Sequence, residues 1–144
     1  MGTLRQYASL ITICVNSLVT ITGHQMYAYK CKIVSIVDGD TIDIELDLGF
    51  EIRLKERVRL LGVDTPEVYG NKAVPAGQAA SAFTKAWVQS KVTRDGHFVY
   101  ESKRYNARDK YGRSLGTITW VDAVPTLSET INVLLLATGH AKPL

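Results

Sequence analysis

The clearest feature of the chain is a strict alternation of apolar and charged positions. Ile42, Ile44, Leu46, Leu48, Phe50, Ile52 and Leu54 are apolar, and Asp43, Glu45, Asp47, Glu51, Arg53 and Lys55 stand between them. A period of two with one wet face predicts antiparallel β structure, either one long strand or two strands sharing parity with a bend at Gly49. The stretch Tyr27 to Val37, rich in Ile, Val and Tyr, predicts a preceding strand, and Asp38-Gly39 a turn between the two. Glu56-Arg57 fits another turn. Val58 to Val63 reads as the next strand, ended by Thr65-Pro66, because the residue before proline is held extended. His97 to Ser102 and Ser114 to Val121 complete the strand-like runs, with a polar, loop-like stretch from Lys103 to Gly112 between them.

The period changes twice to that of a helix. From Gln78 to Val92, Ala79, Ala82, Phe83, Ala86 and Trp87 fall on one helical face. Near the end, Thr126 and Glu129 have the spacing of a capping box, Leu127, Ile131, Leu134, Leu135 and Thr138 follow helical spacing, and Gly139 supplies a stop. The order is strand, strand, strand, helix, strand, strand, helix. That order suits a mainly β domain with α: a five-stranded OB-fold barrel with two packed helices. A doubly wound sheet would alternate strand and helix throughout.

Residues 1 to 25 differ from the rest. Tyr7 to Thr22 is largely apolar, and the whole segment holds one base, Arg5, and no acid. The run is shorter than the ~20 apolar residues of a membrane span. It has the charge and apolar stretch of a weak secretory signal but no A-x-A cleavage pattern. The expected organisation is an N-terminal extension over 1–25, read as a weak signal or an upstream start before Met26, and one domain over 26–144. Location is expected to be cytoplasmic or secreted, with no membrane span.

Composition narrows the function classes only a little. The formal charge is +3 over 144 residues. Without Arg5, sixteen bases face fourteen acids, so +2 survives in the domain. This permits a nucleic-acid partner without demanding one. Cys14 and Cys31 have no metal-ligand spacing and form no disulfide framework, and His24, His97 and His140 have no helical metal spacing. Zinc is therefore not suggested.

Three clusters carry the chemistry: Asp38-Gly39-Asp40-Thr41, then Arg59 with Asp64-Thr65-Pro66-Glu67, then Asp109-Lys110-Tyr111-Gly112-Arg113. Each lies at an end of an expected strand, and the strand ends of a barrel meet at its rim. Carboxylates there suit a hard cation such as Ca²⁺ or Mg²⁺. Arginines suit the oxygens of a phosphodiester, because a planar fork binds two of them at once. Alone, each cluster is an ordinary turn or loop. The Asp38-x-Asp40 spacing begins like a helix-loop-helix Ca²⁺ site, but Ile42 and Asp43 break that pattern. There is no phosphate-binding Gly-rich loop ending in Lys-Ser or Lys-Thr, and no His-Glu-x-x-His.

In this order the three clusters resemble those of the staphylococcal nuclease (thermonuclease-like) family. The resemblance runs from about Tyr27 to Lys142 and takes in Ala80-Ser81-Ala82-Phe83-Thr84-Lys85 and Thr138-Gly139-His140-Ala141-Lys142. It implies an SNase-like OB barrel that hydrolyses DNA and RNA with little sequence preference and leaves 3′-phosphate ends. It also implies that Asp40, Asp64 and the Thr65 carbonyl hold one Ca²⁺ (or Mg²⁺ or Mn²⁺). Glu67 would act on the attacking water, Arg59 and Arg113 would clamp the phosphate, and Tyr111 and Lys110 would lie near the nucleotide. The stretch from Ile44 to Arg59 is longer than in the family's type member, which predicts an extended hairpin. After Gly116-Thr117-Ile118 the family pattern has an aromatic, and here Thr119 precedes Trp120. The type member also continues beyond the position of Leu144, through nucleotide-contacting tyrosines and a third helix, so weaker substrate stacking is expected.

Two other readings remain open at this level. One is a catalytically silent OB-fold module that binds single-stranded nucleic acid or protein, and the other is a structural barrel with solvated acids. The full set of acids and arginines favours the nuclease. A monomer is expected.

Overall fold

A computed structural model describes residues 27–102, 108–124 and 128–144. The strands are β1 (Ala28–Asp38), β2 (Thr41–Asp47), β3 (Arg53–Leu60), β4 (Val63–Asp64), β5 (Gly96–Ser102), β6 (Ser114–Asp122), β7 (Ser128–Thr130) and β8 (Lys142–Pro143). The helices are α1 (Pro75–Lys91) and α2 (Ile131–Ala137). The main sheet runs β3-β2-β1-β5-β6-β7, and a second contact between β3 and β6 curls it into a closed five-stranded barrel. That closing seam is parallel, pairing Val58, Arg59 and Leu60 with Ser114, Leu115 and Gly116. The OB-type barrel with two helices expected from the element order is the observed architecture.

The alternation in β2 does what its period dictates. Ile42, Ile44 and Leu46 point inward and are buried with Val58, Leu60, Tyr100, Ile118 and Trp120. The aromatic in β6 faces inward too, because Trp120 stays in phase with Ile118. The ribbon differs from expectation at its turns. β2 and β3 are separate strands joined at Gly49–Ile52, and Glu56 and Arg57 continue β3, pairing across to Ile44 and Asp43. The charged pair Arg57–Asp43, with contacts of 2.7 and 2.9 Å, belongs to that ladder. At the apex, Ile52 N–H donates to the Gly49 carbonyl and the two central residues, Phe50 and Glu51, both take positive φ (52° and 62°). Positions of this kind favour Asn-Gly. The residues between Ile44 and Arg59 thus form the β2–β3 hairpin and its apex.

Helix α1 begins three residues earlier than its apolar spacing predicts, with Pro75 at the first turn, where its missing N–H costs nothing. Its buried stripe is also rotated. Gly77, Ala80, Ser81, Thr84, Trp87 and Lys91 face inward, whereas Ala79, Ala82 and Ala86 are exposed. Two polar members of the stripe, Thr84 and Lys91, are buried against partners. Thr84 Oγ1 donates to the Gly39 carbonyl at 2.9 Å, and Lys91 pairs with Glu129.

Glu129 does not close a capping box. It lies in β7 opposite Trp120, and its carboxylate also accepts from Trp87 Nε1 at 3.1 Å. Thr126 and Leu127 fall outside the described residues. Helix α2 starts at Ile131, with no side-chain cap from Thr130. Buried Asn132 fastens it over the β3–β6 seam, donating to the Leu61 carbonyl at 2.9 Å and accepting from Ile118 N–H at 3.3 Å. No helix among the described residues is long and apolar enough to cross a membrane.

Candidate active site

The closing seam brings three strand ends together. β2 leaves the Asp38-Gly39-Asp40 turn beside the end of β3, with Thr41 opposite Arg59 and Leu60 N–H donating to the Asp40 carbonyl at 2.8 Å. Arg59 also lies opposite Leu115 across the parallel seam, so the start of β6 joins them. Gly39 has to be glycine, because a side chain there would press on Ala80 and Thr65. The turn is thereby packed against α1 and the segment after β4.

Asp40 is buried and heavily engaged. Its Oδ2 accepts the Thr65 N–H at 2.8 Å and lies 2.5 Å from Arg59 Nη1, while Thr41 Oγ1 donates to Oδ1 at 3.2 Å. Arg59 is only 13% exposed. Its Nη1 also donates to the Val63 carbonyl and its Nη2 to Asp64 Oδ1, each at 3.0 Å. One guanidinium therefore spans Asp40 and Asp64, which sequence spacing alone leaves 24 residues apart.

The second arginine arrives from the other side. Asp109 organises the turn that carries it, accepting the N–H groups of Tyr111 and Arg113, both at 2.9 Å, and Arg113 Nε at 2.6 Å. Burial works against the Asp109 charge, but the Arg113 and Tyr111 donors outweigh it and hold this carboxyl below its usual range. Arg113 Nη1 then reaches Thr41 Oγ1 at 3.3 Å, so a hydrogen-bonded chain runs from Arg113 through Thr41 to Asp40. Tyr111 is 72% exposed, with Lys110 Nζ and the Arg113 guanidinium 5.0 and 5.3 Å from its ring.

Of the residues singled out from sequence, Asp40, Asp64, Thr65, Arg59 and Arg113 converge. Tyr111 and Lys110 stand at the edge of the same site, on the Arg113 turn. Glu67 lies two residues beyond Thr65, exposed, and makes no ion pair with either arginine. Two participants had no assigned role. Asp109 holds Arg113, and its position four residues ahead of that arginine, before a glycine turn, is the legible signal. Asp38 stands beside Asp40, whose N–H it accepts at 3.2 Å. Its carboxyl is pushed up to about 6, first by burial and then by the Asp40 carboxyl.

That raised acid tests what the site can hold. Two crowded carboxyls, with Asp64 close by, form an oxygen donor set without sulfur or imidazole, which suits a hard cation. No group of three acids, histidines or cysteines closes into a cage among the described residues. A cation here would take Asp40, Asp64 and main-chain oxygen, with water completing its shell.

Known proteins are similar to this chain in sequence. The family model for staphylococcal nuclease homologues matches residues 57–143. A thermonuclease of Staphylococcus intermedius is 41% identical over 109 residues, 74% of this chain and 55% of that protein. A thermonuclease of Staphylococcus hyicus is 35% identical over 89 residues, 60% of this chain and 46% of that protein. Protein ParB of Escherichia coli is 28% identical over 144 residues, 95% of this chain and 70% of that protein. The chain thus spans about half the length of the two thermonucleases. The matched model runs from Arg57, within β3, to Pro143 and includes Arg59, Asp64, Glu67 and Arg113; the chain belongs to the staphylococcal nuclease homologue family.

Proposed function

We propose that the chain is a metal-dependent nuclease that hydrolyses DNA or RNA with little sequence preference and leaves 3′-phosphate ends. The observation that carries this reading is the single guanidinium of Arg59 spanning Asp40 and Asp64, with Arg113 tied to the same acid through Thr41. A binding module has no use for a buried acid and a second acid beside two arginine forks. Phosphodiester hydrolysis does, because negative charge builds on the non-bridging oxygens in the transition state.

Asp40, Asp64 and the Thr65 carbonyl would hold the cation, Ca²⁺ in this reading, with Mg²⁺ and Mn²⁺ acceptable to the same oxygen donors. When bound, it stabilises charge on a phosphate oxygen. The chain's own groups do the rest. Arg59 and Arg113 grip phosphate oxygens from two sides, and the fork of each fixes orientation as well as charge. Glu67, exposed and unpaired with either arginine, takes a proton from the attacking water. The water oxygen bonds to phosphorus as the bond to the 5′ oxygen breaks; the departing 5′ oxygen takes a proton from solvent water, and the phosphate stays on the 3′ side. Lys110 and Tyr111 receive the neighbouring nucleotide.

The test is cleavage of labelled single-stranded DNA by the full chain with Ca²⁺, with chelator, and in the Glu67→Gln variant. Ca²⁺-dependent cleavage lost in the variant is the expected result. Tight binding without cleavage in any divalent cation would instead assign the chain to the silent binding modules.

A further inference from the structure

Beyond Glu67 the chain forms a short closed loop. Val74 N–H donates to the Glu67 carbonyl at 3.1 Å, and Ala73 N–H to the Gly70 carbonyl at 3.2 Å, with Gly70 at φ 82°. The neck is pressed onto α1, because Gly77 abuts the Glu67 carbonyl so closely that a side chain there would collide with it. The neck of the loop is therefore fixed two residues beyond Thr65, whose N–H donates to Asp40. Its outer side presents Tyr69, 71% exposed, and Lys72, also exposed. Tyr69 stacks on no other ring among the described residues, and Lys72 makes no ion pair among them.

The Asp109–Arg113 turn on the other side of the site presents the same pair of side chains, Lys110 and Tyr111. From Val68 to Arg94 the chain carries Lys72, Lys85, Lys91 and Arg94 and no acid at all. Of these, Lys91 is buried against Glu129 and Arg94 pairs with Asp122, so Lys72 and Lys85 are the exposed cations left to meet a polyanion. A phosphate held between the arginines and Glu67 has a nucleoside on each side. In the nuclease reading the Tyr111 turn takes one, and the loop that follows Thr65 and Glu67 borders the site as a place for the other. Tyr69 is two Cα steps from Glu67, at most about 7.6 Å.

We propose that this loop is a second nucleotide subsite, in which Tyr69 stacks on a base of a single strand and Lys72 meets its phosphate. Stacking of this kind is tolerant of sequence, because every base has a π face. The proposal rests on the nuclease reading and extends the site by one nucleotide.

The experiment compares two substrates with the full chain in Ca²⁺: a phosphodiester bearing one thymidine and a nitrophenyl leaving group, and a single-stranded oligonucleotide. For Tyr69→Ala, the preference in kcat/KM for the oligonucleotide over the small diester falls roughly 5- to 100-fold, through KM. Tyr69→Trp keeps the preference, and its indole emission is quenched when the oligonucleotide binds in chelator. Lys72→Gln lowers the salt dependence of oligonucleotide binding by about one unit of slope. An active enzyme whose preference is unchanged in Tyr69→Ala overturns the subsite alone. A chain that cleaves neither substrate with any divalent cation overturns the nuclease reading first.

Discussion

Arg59 Nη1 lies 2.5 Å from Asp40 Oδ2, in a pair whose side chains are 13% and 7% exposed. The contact is structural in its own right, whatever part Arg59 takes in the proposed reaction. Removing the arginine leaves a buried carboxylate with only the Thr65 N–H and the Thr41 hydroxyl. Arg59→Ala is therefore expected to lower stability by about 3 kcal/mol, the cost of breaking a buried pair, and cleavage by roughly 100-fold or more. Arg57→Ala, which breaks an exposed pair with Asp43, should cost under about 1 kcal/mol. Urea unfolding of the two variants checks the contrast. Arg59→Lys separates the roles: a point charge restores much of the stability but not the grip on two phosphate oxygens, so cleavage stays low.

Glu67 is the opposite case, exposed and free of the arginine pairs. Glu67→Gln should leave the urea midpoint and the Ca²⁺ affinity by calorimetry unchanged while kcat falls roughly 100- to 10,000-fold. A matching loss of Ca²⁺ affinity would make Glu67 a ligand and remove it as the base.

The barrel was legible because β2 and β6 keep a period of two and bury one face against each other. The turns were less so. Glu56-Arg57 resembles a turn in composition, yet both residues sit mid-strand because Asp43 and Ile44 stand opposite them. The stripe of α1 was misplaced because alanine is apolar but indifferent to exposure, while Thr84 and Lys91 are buried by partners 45 and 38 residues away. Sequence spacing contains no record of those partners. The convergence of Asp40, Asp64, Arg59 and Arg113 was legible from residue types, since these acids and arginines stand at the ends of neighbouring strands. Its wiring was not: that Arg59 joins two acids, or that Asp109 aims Arg113, depends on the parallel seam between β3 and β6.

Cys31 is buried in β1, and burial pushes its thiol up to about 12, against a smaller opposing hydrogen bond at Tyr100. At pH 8 the thiolate fraction is then on the order of one in ten thousand, and the thiolate is the reactive form. In a Cys14→Ser chain, Cys31 should react with a disulfide reagent only as fast as the protein opens. The rate should rise sharply at the urea unfolding transition. Fast reaction in native buffer would mean that β1 is accessible without unfolding.

Lys91, buried in α1, and Trp87 Nε1 both donate to Glu129 of β7, joining the helix to the barrel. The Lys91 ammonium, against a smaller desolvation effect, holds the Glu129 carboxyl below its usual value. A depressed acid contributes its stability fully above its unfolded pKa, about 4.3, and loses it as pH falls through the lower folded value. The pair therefore steepens the acid limb of the stability curve below about pH 4.3 and leaves the neutral plateau flat. Lys91→Met keeps most of the buried stem and removes the charge. Its urea midpoint should fall at pH 7, where Glu129 is left ionised with Trp87 alone, and the gap to the parent chain should narrow as pH drops to about 3. A gap that stays constant from pH 7 to 3 would assign the contribution of Lys91 to packing of its methylenes rather than to the pair.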